Sequence, residues 1–101
     1  MIRVYAQRKG SRCRLLVEGH AAYSTENDIV CAGVSALTGA LIRYARLSPA
    51  CGHLRCYAKR GEAFLSCRGG LGAGFDLVLQ GLCAIAEQYP AHVRIEAREG
   101  C

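Results

Sequence analysis

The sequence predicts a two-layer α+β fold, a mostly antiparallel sheet with two helices on one face, in the order ββαββαβ. Three observations carry this. Five short segments alternate apolar with polar residues, the period of a half-buried strand, and two longer segments place apolar residues at helical spacing. Short glycine-bearing turns join strands as hairpins, which outnumber βαβ crossovers.

Taken in order, Ile2, Val4 and Ala6 alternate with Arg3, Tyr5 and Gln7, and Lys9-Gly10-Ser11 makes a turn. Cys13, Leu15 and Val17 then alternate with Arg14, Leu16 and Glu18, completing a hairpin. A polar loop covers residues 19–27. From Asp28 the apolar positions Ile29, Val30, Val34, Leu37, Leu41 and Tyr44 share one side of a helix that ends near Leu47-Ser48-Pro49.

Residues 54–59 and 62–67 flank Arg60-Gly61 as a second hairpin. With Lys59 opposite Glu62, Leu54, Cys56, Ala58, Ala63, Leu65 and Cys67 share one face, which makes Cys56 and Cys67 core residues. On the other face Tyr57 and Phe64 pair as exposed aromatics suited to a dimer or peptide contact. A glycine-rich stretch, residues 69–74, leads into a second helix over 75–88 that Tyr89-Pro90 ends, and 92–98 alternates as the last strand.

The length of 101 residues makes residues 1–101 a single domain with a modest core. A 51% hydrophobic share with 21% charged residues excludes disorder. No stretch approaches the ~18 consecutive apolar residues of a membrane helix. The first residues alternate like a strand where an export signal would carry a charged head and an apolar block. The seven cysteines are odd in number and fall at core-like positions, so they read as free thiols in a reducing compartment. The net charge of +5 is rich in arginine, with Arg3, Arg8, Lys9, Arg12 and Arg14 in the first two strands. That suits an acidic partner as well as a solvated sheet face.

One cysteine stands apart. Cys31 follows Asp28, which with Ser24, Thr25 and Asn27 is a candidate N-cap residue, so the reading places Cys31 in the first turn of the first helix. Unpaired amides and the positive helix end stabilise a thiolate there, and the same amides can hold an oxyanion. His20 begins the loop that returns to this helix start, within reach of the sulfur, and a cysteine beside a base performs acyl transfer without a metal. On spacing alone, a core cysteine remains the alternative.

Gly19-His20-Ala21 followed by Asp28-Ile29-Val30-Cys31-Ala32-Gly33-Val34-Ser35-Ala36-Leu37 resembles the signature of the Prp family, cysteine proteases that trim a bacterial ribosomal protein. Residues 81–90 resemble that family's last helix and the turn leaving it, so the likeness spans essentially the whole chain. It places the family's histidine on His20, its nucleophile on Cys31, and the accompanying acid and hydroxyl on Asp28 and Ser35. For Asp28 the other role is a helix cap, and for Ser35 a small residue packing on the sheet. Family members commonly carry a glycine two positions before the aspartate. Here that position is Glu26 and residues 21–27 hold no glycine, which stiffens the loop that admits substrate.

The resemblance implies a cytoplasmic, homodimeric cysteine endopeptidase that removes a short N-terminal extension from a large-subunit ribosomal protein. It implies no cofactor, no membrane and no required contact with nucleic acid. Two other classes compete. A non-catalytic basic module that binds RNA or the ribosome suits the charge but lacks an aromatic RNA signature. A thiol redox protein lacks a Cys-x-x-Cys pair. Cys51, His53 and Cys56 miss zinc-ligand spacing, His92 reads as a strand residue, and the glycine-rich stretch lacks the Gly-Lys-Ser/Thr of a phosphate loop and reads as a linker.

Overall fold

The protein is described by a computed structural model giving the backbone of residues 1–19 and 25–99 and the side chains of 1–19 and 29–96. Strand β1 (Ile2–Lys9) turns at Gly10 into β2 (Arg12–Glu18), α1 (Thr25–Leu47) follows, β3 (Gly52–Lys59) and β4 (Glu62–Arg68) form the second hairpin, and α2 (Gly72–Gln88) precedes β5 (Val93–Glu99). This is the expected α+β order. The sheet runs β3-β4-β2-β1-β5, antiparallel throughout except where β5 lies parallel to β1. That exception follows from α2, which carries the chain from β4 across to the far side of β1.

Alternation decides which side chains meet the helices. Ile2, Val4 and Ala6 of β1, Cys13, Leu15 and Val17 of β2, Leu65 and Cys67 of β4 and Val93 of β5 are buried. Against them pack Val30, Val34, Leu41, Ile42 and Ala45 of α1, with Phe75, Val78, Leu79 and Leu82 of α2. Lys59 does face Glu62, with Tyr57 opposite Phe64 and Cys56 opposite Leu65. Cys67 is 1% exposed, but Cys56 is only half-buried. β3 is an edge strand, and among the described residues no strand lies on its outer side to complete the cover.

One expectation about α1 changes. The helix begins at Thr25, not at Asp28, so Asp28 is its fourth residue and Cys31 its seventh. Ile29 and Tyr44 lie at the margins of the apolar side and are 58% and 54% exposed. The physical reason is the roll of the helix about its axis. A Cβ at Gly33 would come within 3.3 Å of Ile85 of α2, and one at Gly81 within 2.9 Å of Leu37, so each helix seats an apolar side chain in the other's glycine notch. That contact turns the stripe's margins to solvent.

The segment Ile29–Leu47, with a mean hydropathy of 1.2, is long and apolar enough on average for a membrane span, although Ser35, Thr38, Arg43 and Arg46 interrupt it. In the fold its apolar face lies on the sheet. The glycine-rich stretch divides between a turn at Gly69 and Gly70 and the first turn of α2, where Gly72 leaves room for the Arg8 side chain that pairs with Asp76.

Candidate active site

The candidate nucleophile, Cys31, sits on α1, and two contacts place it. Val30 and Val34 point into the core while Gly33 meets α2. At about 100° per residue, Cys31 therefore falls on the flank of α1 turned away from α2. Its side chain is half-buried and packs on the core's margin, so the thiol is neither sealed in nor fully solvated. Positions 28, 31 and 35 are spaced so that they line this same flank. The helix thus brings Asp28, Cys31 and Ser35 onto one strip, with Ser35 exposed. One turn on, Thr38 is buried, and its hydroxyl donates to the Val34 carbonyl at 2.9 Å, so it serves the helix rather than the strip.

His20 lies outside the described residues, as does the side chain of Asp28. The chain's entry to His20 is nevertheless built to a close tolerance. Gly19 leaves β2 at φ 116°, its N–H donating to the Gly61 carbonyl at 2.9 Å. A Cβ there would overlap the Met1 carbonyl oxygen and sit 3.2 Å from the Ile2 Cα. Only glycine suits both the dihedral and the space, so the glycine of the Gly19-His20 pair has a mechanical role. It anchors the exit of β2 beside the first residues of β1.

The earlier helix start alters the electrostatic reading of Cys31. The unpaired amides of a helix belong to its first four residues, here positions 25–28, whereas Cys31 is one turn inside. The sequence held a signal for this: Ser24 and Thr25 precede the acidic Glu26 and Asp28, a polar and acidic run typical of a first helical turn.

The family profile of the cysteine protease Prp matches residues 1–94. The chain belongs to the Prp cysteine protease family. Among solved structures it resembles SMU.848 from Streptococcus mutans, with a TM-score of 0.73 and 21% identity over 99% of this chain and 96% of that one. It also resembles the essential ribosomal processing protease Prp from S. aureus in complex with a substrate peptide, with a TM-score of 0.71 and 22% identity over 97% of this chain and 100% of that one. The same S. aureus protease with a covalently linked product peptide gives a TM-score of 0.70 at 22% identity, with the same coverage. No curated protein matches significantly. Membership in Prp makes the chain a cysteine protease and sets aside the non-catalytic and thiol-redox alternatives.

For a Prp protease the remaining cysteines matter as contrast. Cys13 and Cys67 are buried, and Cys51, Cys56 and Cys83 half-buried, none of them in a disulfide among the described residues. Burial, followed by the neighbouring Cys51 and Cys13 thiols, pushes the Cys67 pKa up to about 12. A thiol so raised is no nucleophile near neutral pH. Among the described residues no three His, Cys, Asp or Glu side chains come together as a metal site.

Proposed function

We propose that this Prp protease removes a short N-terminal extension from a large-subunit ribosomal protein, with Cys31 as nucleophile and His20 as general base. The observation that carries the assignment is the helix strip. Of the six cysteines described, Cys31 shares a helix flank with the acid and the hydroxyl that the family motif pairs with it, and its thiol stands at the core's margin. The substrate class draws support from the S. aureus relative, a ribosomal processing protease seen with substrate and product peptides. The site of action is the cytoplasm, where that substrate is made and where free thiols persist.

In the reaction His20 takes the Cys31 proton and the thiolate attacks the scissile carbonyl, giving a tetrahedral oxyanion. Unpaired amides of the first helical turn hold that oxyanion. The nearest, at position 28, precedes Cys31 by three residues, ~4.5 Å of helix rise. The imidazolium returns the proton to the leaving amine, and water deprotonated by His20 hydrolyses the thioester. Asp28 and Ser35 support the pair from the same flank, Asp28 by orienting His20 and Ser35 by hydrogen bonding to the dyad.

A homodimer is the working unit. The helical layer leaves Tyr44 54% and Leu77 72% exposed, and the Tyr44 ring lies against Gly74, one turn from Leu77, so the two form an apolar patch of the kind that marks an interface.

The test is single-turnover cleavage of the ribosomal protein carrying its extension. Cys31→Ala and His20→Ala each abolish cleavage, and the double variant is little worse than either, because the two groups act as a unit. Cleavage at the parent rate by Cys31→Ala would eliminate the mechanism.

A further inference from the structure

Among the described residues no element covers the sheet face opposite the helices, and the strand register arranges its side chains in rows. Lys9, Arg12 and Arg68 stand abreast at one end, and the next row is Gln7, Arg14, Ser66 and Arg55. A third row is Tyr5, Leu16, Phe64 and Tyr57, and the last is Arg3, Glu18, Glu62 and Lys59. The two ends differ in charge balance. At the last row Lys59 pairs with Glu62 at 3.8 Å, and Tyr57 donates a hydrogen bond to the same carboxylate. The first two rows hold five cations, with Glu99 of β5 in register beside Gln7 at the far edge, and among the described residues Arg12, Arg14, Arg55 and Arg68 make no ion pair.

Like charges directly opposite one another destabilise a sheet, so Lys9, Arg12 and Arg68 side by side oppose folding unless an anion meets them. The adjoining row shows what kind of anion. Tyr57 and Phe64 stack with centroids 5.5 Å apart, Arg14 lies 5.8 Å over the Phe64 ring, and Tyr57 is 41% exposed. Lys59 lies 5.6 Å over the Tyr57 ring, so a base stacks on this pair by displacing that flexible side chain, while the cationic rows beside it meet phosphates, the combination single-stranded nucleic acid requires. An open groove of about 1110 Å³ joins Arg12, Arg14, Arg55, Arg68, Tyr57 and Phe64 and continues around the β3 edge to Arg46 of α1.

We infer that this open face is a binding site for single-stranded RNA, separate from the catalytic strip. The strip lies on the helical layer, toward the end of the sheet where β2 leaves through Gly19, whereas the arginines lie on the other face at the end where β2 begins. An acidic peptide would satisfy the arginines but not the stacked rings, and a second copy centred on the patch would set arginines against arginines. The choice of RNA over DNA rests on the ribosomal reading of the protease. The site itself stands on the register and the rings.

Fluorescence anisotropy of the full chain with a fluorescein-labelled single-stranded RNA of about 12 nucleotides tests this. The expected log–log slope of affinity against salt is about −3, from four to five phosphate contacts. Arg12→Glu with Arg68→Glu is expected to abolish binding. Arg14→Gln and Arg55→Gln, on exposed side chains, each reduce the slope by about 0.7 and serve if the charge reversal prevents folding. Tyr57→Ala is expected to weaken binding about tenfold with the slope unchanged, while all these variants still cleave peptide and Cys31→Ala still binds RNA. The inference is overturned if duplex RNA, polyglutamate or DNA of the same sequence binds as tightly, if Tyr57→Ala has no effect, or if charge reversal splits a dimer without altering RNA affinity. Each of those results leaves the protease assignment standing, because cleavage is read separately.

Discussion

Replacing Gly19 with alanine isolates how the fold delivers the chain to His20. The backbone sits at φ 116°, outside the left-handed basin that L-residues tolerate, which costs ~1–3 kcal/mol. The new methyl also meets backbone, overlapping the Met1 carbonyl oxygen with the Met1 carbonyl carbon at 3.1 Å. Backbone cannot swing away as a side chain does, so overpacking adds ~1–3 kcal/mol. The sum, ~4 kcal/mol, is a large part of the ~5–15 kcal/mol that holds a chain of this length folded. At ~0.2 kcal/mol per kelvin of unfolding entropy, Tm falls by about 20 °C. Gly10→Ala is the matched control: φ is 60° and nothing lies within 4 Å of its Cβ, so only the left-handed penalty of ~1 kcal/mol applies, about 5 °C. Thermal melts followed by circular dichroism measure both, and cleavage assays well below each midpoint ask whether displaced Gly19 also lowers kcat/KM. A Gly19→Ala midpoint within about 3 °C of Gly10→Ala would refute the argument that Met1 and Gly19 are locked together.

Brief alkylation near neutral pH followed by mass spectrometry should modify Cys31 fastest and leave Cys13 and Cys67 intact, since both are buried; modification of Cys67 before Cys31 would contradict the assignment. Stability should decline as pH rises from about 9 toward 12: the folded Cys67 thiol is held neutral up to about 12, so above 9 the unfolded chain gains by ionising a thiol the folded chain cannot. Tyr5, raised by burial and Glu18, and Tyr57, raised by its hydrogen bond to Glu62, add in the same direction, and Cys67→Ala should flatten the decline measured by urea titration. Light scattering should give twice the 10.9 kDa chain mass, and Leu77→Lys should halve it; a concentration-independent monomer would remove the dimer without touching the dyad.

The sequence by itself determined the elements and the family, and it named the candidate site residues. Period-two alternation identified the strands and their buried faces, and opposing Lys59 to Glu62 gave the register of the second hairpin, because a one-residue slip would expose Leu65 and Cys67. The family was legible because its motif around Cys31 is contiguous in the chain. What lay beyond reach depended on segments far apart in the chain. Spacing along α1 says which residues share a side but not which way that side faces, and the notches at Gly33 and Gly81 set the roll that exposed Ile29 and Tyr44. The start of α1 at Thr25, which moved Cys31 one turn into the helix, was hidden by a polar run that reads equally as loop. The parallel seating of β5 on β1 and the alignment of Lys9 and Arg12 with Arg68 are properties of the assembled sheet. Alternation records the face of each side chain, and only long-range strand pairing decides its neighbours there.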